Sequence, residues 1–274
     1  MCVPYGAIYP SRLRAQGGGR PWQYGAVTKA PRTRIPVETQ PRVRRGYFEC
    51  RCGQLHVHNA IPPGGGFEEG VPLVCLHDFS GSGRVFTRFL AVAGQDRSVY
   101  APDLPGFGES DPPAARPAIA DYAAALGDFL DSMRLRQVAL VGLRYGALTA
   151  IELAVARAAA VKAVILVSVP LLGEAERQRV EQPAPPAAEA GFRPPEWQAW
   201  AAQAALQYPL RERLARLNQR LLVVRPRDEL AESTARIRDV NPGARIAELA
   251  QSSAELLASA PERIALMVRE FLHA

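Results

Sequence analysis

The chain has 274 residues, 48% of them hydrophobic and 22% charged, with a formal net charge of +6. That length and apolar share suit one large α/β domain with a well-buried core. No run of 18 or more apolar residues exists. The most apolar stretch, 138–173, is broken by Arg144, Glu152, Arg157 and Lys162, so it reads as core and no membrane span is expected. The first 20 residues lack the apolar segment of a secretory signal.

The positive charge is unevenly placed. Residues 1–46 hold nine Lys and Arg against one acid, Glu38, a net +8, while the other 228 residues hold 24 bases and 26 acids, a net −2. The body is nearly neutral, and no specific nucleic-acid partner is expected. The first segment, 1–43, is rich in Pro, Gly and Arg and is expected to lack fixed structure. Three readings of it stand side by side: a solvated basic arm with weak affinity for anions, an Arg-rich transit peptide in which Ser11 is the only serine, or an extended reading frame whose true start lies near Val37 or Val43. The four cysteines, Cys2, Cys50, Cys52 and Cys75, form no dense framework, which points to a reducing compartment and a cytoplasmic protein.

In chain order, residues 46–60 alternate apolar and polar around Gly53-Gln54 and read as a hairpin. Cys50-x-Cys52 and His56-x-His58 look like zinc ligands. With a two-residue turn at Gly53-Gln54, however, the histidines fall on the opposite face from the cysteines, so no metal is expected. Pro62 to Gly66 is a loop. Val71–Leu76 is a short buried strand, 84–94 a helix, Val99–Asp103 a strand, and Ile119–Leu135 a helix with Asp121 as its cap. Val138–Gly142 is a strand, 145–158 a helix and Ala163–Val169 a strand. Pro183, Pro185, Pro186, Pro194 and Pro195 exclude a long helix there, whereas Trp197–Leu217 is helical. Arg220–Val224 and 244–249 are strands, and Pro261–His273 is a helix that opens on proline. Strands alternating with helices argue for a mostly parallel sheet covered on both faces.

The segment Val138-Ala-Leu-Val-Gly142-Leu-Arg144-Tyr-Gly146 has glycines two residues either side of its centre, between a buried strand and a helix. That is the spacing of the sharp turn that carries a serine nucleophile. Here the central residue is Arg144, whose guanidinium is a poor nucleophile and a poor base.

Three segments resemble the α/β-hydrolase superfamily, in particular its cap-bearing esterase, epoxide-hydrolase and carbon–carbon-hydrolase branch, over about residues 44–274. They are Leu73-Val-Cys-Leu-His77-Asp-Phe79-Ser-Gly81-Ser82, Tyr100-Ala-Pro-Asp103-Leu-Pro-Gly106-Phe-Gly108-Glu-Ser110-Asp, and the turn at Arg144. The resemblance implies one α/β-hydrolase domain over 44–274. It would have an eight-stranded, mostly parallel sheet, helices on both faces and a short cap at about 171–218. It places the oxyanion hole on the backbone N–H groups of Phe79 and Tyr145. The family usually has glycine where this chain has Asp78, and a carboxylate beside that hole would repel a developing oxyanion.

By the family's order, the triad acid falls at Asp228 and the histidine at Ala254, counted back from Pro261. Asp228 reads equally as a turn carboxylate. His56, His58, His77 and His273 lie outside the histidine's loop, so no triad is intact at Arg144, Asp228 and Ala254. Ser80, Ser82 and Ser168 are substitute hydroxyls without an evident histidine partner. Trp197, Trp200 and Tyr208 line a pocket or form the cap's own core. Arg144 is expected to reach Asp228 directly; the alternative is a pair with Asp78, or a free cation that clamps a ligand's carboxylate.

These residues imply a protein that does not hydrolyse esters and that binds a small organic ligand or a protein partner in the former active site. Its ligand-binding residues are then Phe79, Tyr145, Arg144, Asp78, Asp228, Trp197 and Trp200, with no cofactor. The alternative is a hydrolase, lyase or cyclase on the same fold that uses displaced residues on an ester-like or carbonyl substrate.

Overall fold

The computed structural model describes residues 40–64, 70–181 and 196–274. The basic segment before residue 40, the tip of the loop that follows Pro62, and the prolines at 183, 185, 186, 194 and 195 lie outside the described residues. Eight strands form one sheet: β1 Val43–Cys50, β2 Gly53–Ala60, β3 Leu73–Leu76, β4 Val99–Pro102, β5 Val138–Leu143, β6 Val161–Val167, β7 Arg220–Arg225 and β8 Arg245–Glu248. Their order is β1-β2-β4-β3-β5-β6-β7-β8. The pairs β1–β2 and β2–β4 are antiparallel and the rest are parallel. The expected architecture is therefore the observed one, with the hairpin at one edge.

The central strands are continuous apolar runs because both faces are covered. Every residue of β3 and of β5 is buried. Alternation divides them between two cores. Val74, Leu76 and Leu140 pack with Leu126 and Phe129 of α2 (Ile119–Ser132) and with Leu148 and Ile151 of α3 (Gly146–Ala156). Leu73, Cys75 and Val141 pack on the other face with Phe89 and Leu90 of α1 (Thr87–Ala93) and with Ile264 and Val268 of the C-terminal helix Pro261–His273.

The hairpin turn falls at Arg51-Cys52, not at Gly53-Gln54, with Cys50 opposite Gly53 and Tyr47 opposite His56. Tertiary anchors set this register. The Arg51 backbone N–H and guanidinium both donate to Asp128 of α2 at 2.8–2.9 Å, and Gln54 N–H donates to Asp111 at 2.8 Å. Gly53, at φ 109°, supplies the backbone geometry that the turn needs. The histidines still face away from Cys50, because the pairing moved by an even number of residues. Asp121 is not the cap residue of α2; it sits inside the first turn, where its carboxylate accepts the Ala118 N–H at 2.8 Å.

The excursion between β6 and β7 carries α4 (Glu174–Glu181), α5 (Glu196–Gln207) and α6 (Leu210–Ala215). A buried bond ties it to the body. Tyr208 Oη donates to Glu152 of α3 at 3.0 Å, and Arg213 Nε lies 3.4 Å from the same carboxylate. Burial, and then the Glu152 charge, push the Tyr208 hydroxyl well above its usual pKa. Between β7 and the C-terminus stand α7 (Ala231–Ala235), α8 (Ile237–Val240), α9 (Ser253–Ala258) and α10 (Pro261–His273). Ser252 and Glu255 form a reciprocal capping box at the start of α9.

One buried carboxylate organises the loop after β4. Asp103, 1% exposed, accepts Gly83 N–H at 2.6 Å, Glu109 N–H at 2.9 Å and the His56 Nδ1–H at 2.9 Å. It thereby joins the hairpin, the loop after β3 and its own loop. The Asp103→Ala variant strands these donors in the core, and the expected loss is about 2–4 kcal/mol, read as a lower urea midpoint at unchanged m-value.

Candidate functional site

The loops at the C-terminal ends of the parallel strands converge, which is where open α/β sheets bind ligands. After β5 the chain makes its tight turn. Arg144 sits at φ 52°, a left-handed conformation that costs a side-chain-bearing residue of order 1–3 kcal/mol. The flanking glycines permit the close approach: a Cβ on Gly142 would lie 2.6 Å from Ala147 Cα, and one on Gly146 would strike the carbonyls of Leu76 and His77. The turn is thus kept in full, with a cation at its apex and α3 starting two residues later.

A cation at a helix N-terminus opposes the helix dipole and needs partners. Arg144 has two. Its Nε lies 3.3 Å from Asp78 Oδ2 and its Nη2 lies 2.7 Å from Glu229 Oε1. Burial works against its charge, but the bond to Glu229 and the charges of Asp78, Glu229 and Asp228 outweigh it and hold Arg144 above the ordinary arginine range. The same bond to Arg144 holds Glu229 below the usual carboxylate range.

The expected direct pair with Asp228 does not form. Asp228 accepts instead from Ser168 Oγ at 2.6 Å and from the Leu230 N–H at 3.1 Å. The acid one residue further on reaches the guanidinium at Nη2, and Asp78 takes Nε. Two carboxylates in sequence at 228 and 229 were the signal available for this, and only the first of them matched the family pattern.

Asp78 does more than pair with Arg144. Its Oδ1 accepts the Phe79 N–H at 2.9 Å and the Tyr145 N–H at 3.3 Å, and its Oδ2 accepts Ser80 Oγ at 2.7 Å. A cavity of about 360 Å³ opens beside it, lined by Asp78, Phe79, Ser80, Arg144 and Tyr145 from the body. Gln198, Ala202 and Leu206, spaced by four along α5, complete the lining. Phe79 lies nearly parallel to Tyr145 (centroids 6.0 Å apart, 17° between planes) and to Phe107 (5.6 Å, 18°). Burial raises the Tyr145 hydroxyl's pKa, and the Asp78 charge adds to that.

Other candidates fall elsewhere. Asp228, Trp197 and Trp200 are not among the residues lining this cavity. Trp197 packs over Gly106, where a Cβ would come within 2.7 Å of its Cδ1. Tyr208 belongs to the tie with Glu152. Ala254 is exposed on α9 and not in the loop after β8; that loop, Leu249 to Ser252, holds no histidine. The count back from Pro261 missed because α9 occupies the interval. Ser168 is fully buried and committed to Asp228.

His77 is fully buried; its Nε2 accepts the Leu104 N–H at 2.9 Å, so the proton sits on Nδ1 and is donated to the Asp78 carbonyl at 2.7 Å. It braces the loop as a neutral ring.

Among the described residues, one group has metal-like composition: ligand atoms of His56, His58 and Asp103 lie within 4.8 Å of one another. Asp103 already receives three hydrogen bonds, so the cluster reads as the anchor of the hairpin. No helix among the described residues is long and apolar enough to cross a membrane.

Residues 73–271 match the model of the Alpha/beta hydrolase family, and the chain belongs to that family. No curated protein matches it in sequence. Among solved structures it is similar to the enol-lactonase from Burkholderia xenovorans LB400, at 17% identity and a TM-score of 0.67, over 84% of this chain and 100% of that one. It is also similar to the carboxylesterase CesB from Bacillus subtilis (17%, 0.62, 84% and 92%). A third is a meta-cleavage product hydrolase, CumD (18%, 0.60, 83% and 97%). These likenesses are of fold. The two N–H groups that point at Asp78 Oδ1 stand at the positions where active α/β-hydrolases place their oxyanion hole.

Burial holds the His77 pKa below that of a free imidazole. Its contribution to stability is therefore present above the unfolded-state pKa, about 6.5, and is lost as pH falls below that value. Urea unfolding should show lower stability at pH 5 than at pH 7, and the His77→Gln variant should show a shallower pH slope over the same interval.

Proposed function

We propose that this protein is a non-hydrolytic member of its family that holds a small organic molecule in the cavity beside Arg144. One observation carries the reading: the residue at the apex of the nucleophile turn is a guanidinium committed to Asp78 and Glu229. A triad enzyme needs at that point a hydroxyl or thiol beside a general base. Two of the three alternative hydroxyls are committed to carboxylates. Ser80 donates to Asp78 and Ser168 to Asp228, and neither carboxylate is relayed through an imidazole. A shaped cavity with aromatic and apolar lining needs no nucleophile to hold a ligand, and such a cavity lies beside Arg144.

The purified protein is expected to show no labelling by a fluorophosphonate probe and no turnover of p-nitrophenyl esters. The Arg144→Ser variant is expected to stay inactive, because the loop after β8 offers no histidine to take the serine's proton. Stoichiometric labelling at Ser80, Ser82 or Ser168 in the unaltered protein would overturn the reading in favour of a displaced nucleophile.

A further inference from the structure

We infer that the cavity takes uncharged, flat aromatic ligands and refuses anions, because the protein's own Asp78 carboxylate occupies the place of the anion. The inference rests on the ligand-binding reading above and names the class of ligand.

The donors come first. Phe79 N–H and Tyr145 N–H converge on Asp78 Oδ1 at 2.9 and 3.3 Å, Ser80 Oγ donates to Oδ2 at 2.7 Å, and Arg144 Nε stands 3.3 Å from Oδ2. A backbone donor at the start of α3, another in the loop after β3, a hydroxyl and a guanidinium form a receptor for a carboxylate or an oxyanion. All four are spent on a side chain of the same loop. A tethered carboxylate acts at an effective concentration of roughly millimolar or more, so a free one competes poorly.

The charges point the same way. Asp78 and Glu229 both pair with Arg144, and Asp228 adds a third negative charge nearby. An incoming anion would have to push Asp78 aside and then sit next to it, with like charges opposed. What remains available to a ligand is uncharged. The ring of Phe79 lies in a parallel stack with Phe107 and Tyr145, and Gln198, Ala202 and Leu206 of α5 line the same cavity. That lining suits a flat ring bearing a neutral hydroxyl or carbonyl.

The test uses two probes with one ring system, 2-naphthol and 2-naphthoate, titrated at neutral pH into the full chain and followed by saturation-transfer NMR. The unaltered protein should bind 2-naphthol and should bind 2-naphthoate at least about tenfold more weakly. Asp78→Ala vacates the receptor, and 2-naphthoate affinity should rise by roughly 10- to 100-fold, the scale of hydrogen bonds to a charged group. Adding Arg144→Gln to that variant should remove the gain. Asp78→Asn, which keeps the side chain's size and drops its charge, should shift the preference in the same direction by less, and it carries the comparison if the alanine variant does not fold. The inference is overturned if the unaltered protein holds 2-naphthoate as tightly as 2-naphthol, or if neither Asp78 variant gains affinity for 2-naphthoate. Serine labelling would sink the non-hydrolytic reading without altering this comparison, so the two failures are distinguishable.

Discussion

A full positive charge at the N-terminus of a helix, on a backbone held at φ 52°, is the constraint to which the rest of the site responds. The turn geometry aims the side chain of residue 144 into the space between the loops after β3 and β7. The dipole of α3 disfavours a cation there, and partial burial removes water that would otherwise solvate it. Compensation has to come from the loops that face it. Asp78 supplies it at Nε and Glu229 at Nη2. Because Asp78 also accepts two backbone N–H groups, one carboxylate satisfies both the guanidinium and the helix start.

The loop after β4 shows how backbone and function divide in this fold. Its sequence is the most specific of the three resembling segments, and in the structure its acid, Asp103, is buried and hydrogen-bonded as an anchor. Asp103 is buried among the N–H groups of Gly83 and Glu109 and the ring of His56. It fixes where Phe107 stands, and Phe107 in turn backs Phe79 at the cavity. A motif can therefore identify a fold with high specificity and say nothing about activity, which has to be read from the residues at the apex of the turn.

Periodicity and punctuation revealed the scaffold. The apolar runs read at 71–76, 138–142 and 163–169, the proline that opens α10 and the glycines at 142 and 146 each have a local cause, so they were legible in order along the chain, to within two residues of the observed strand ends. The errors lie where a partner distant in sequence decides. The hairpin turn moved because Asp128, 77 residues from Arg51, anchors it. The site's real ion pairs join residues 78, 144 and 229, and nothing local distinguishes Glu229 from Asp228 as the partner. Ala254 was misplaced by a short helix whose Ser252–Glu255 capping box stood in the sequence as a readable signature.

The chemistry of this fold is divided between side chains and backbone, and the two parts respond differently to substitution. A nucleophile or a base disappears with one residue change, while an oxyanion hole made of N–H groups persists under any side chain that keeps the turn. Such a hole retains its preference for negative charge after catalysis is gone, and it stays an anion site unless something fills it. Asp78 fills it from one residue before the donor Phe79, at short range and with a counter-charge already in place at Arg144. Residues 144 and 78 fit together: the arginine requires an anion, and the aspartate provides it while taking up the backbone donors. With those donors engaged by Asp78, the cavity's other walls are the stacked rings of Phe79 and Tyr145 and the Gln198, Ala202 and Leu206 positions of α5.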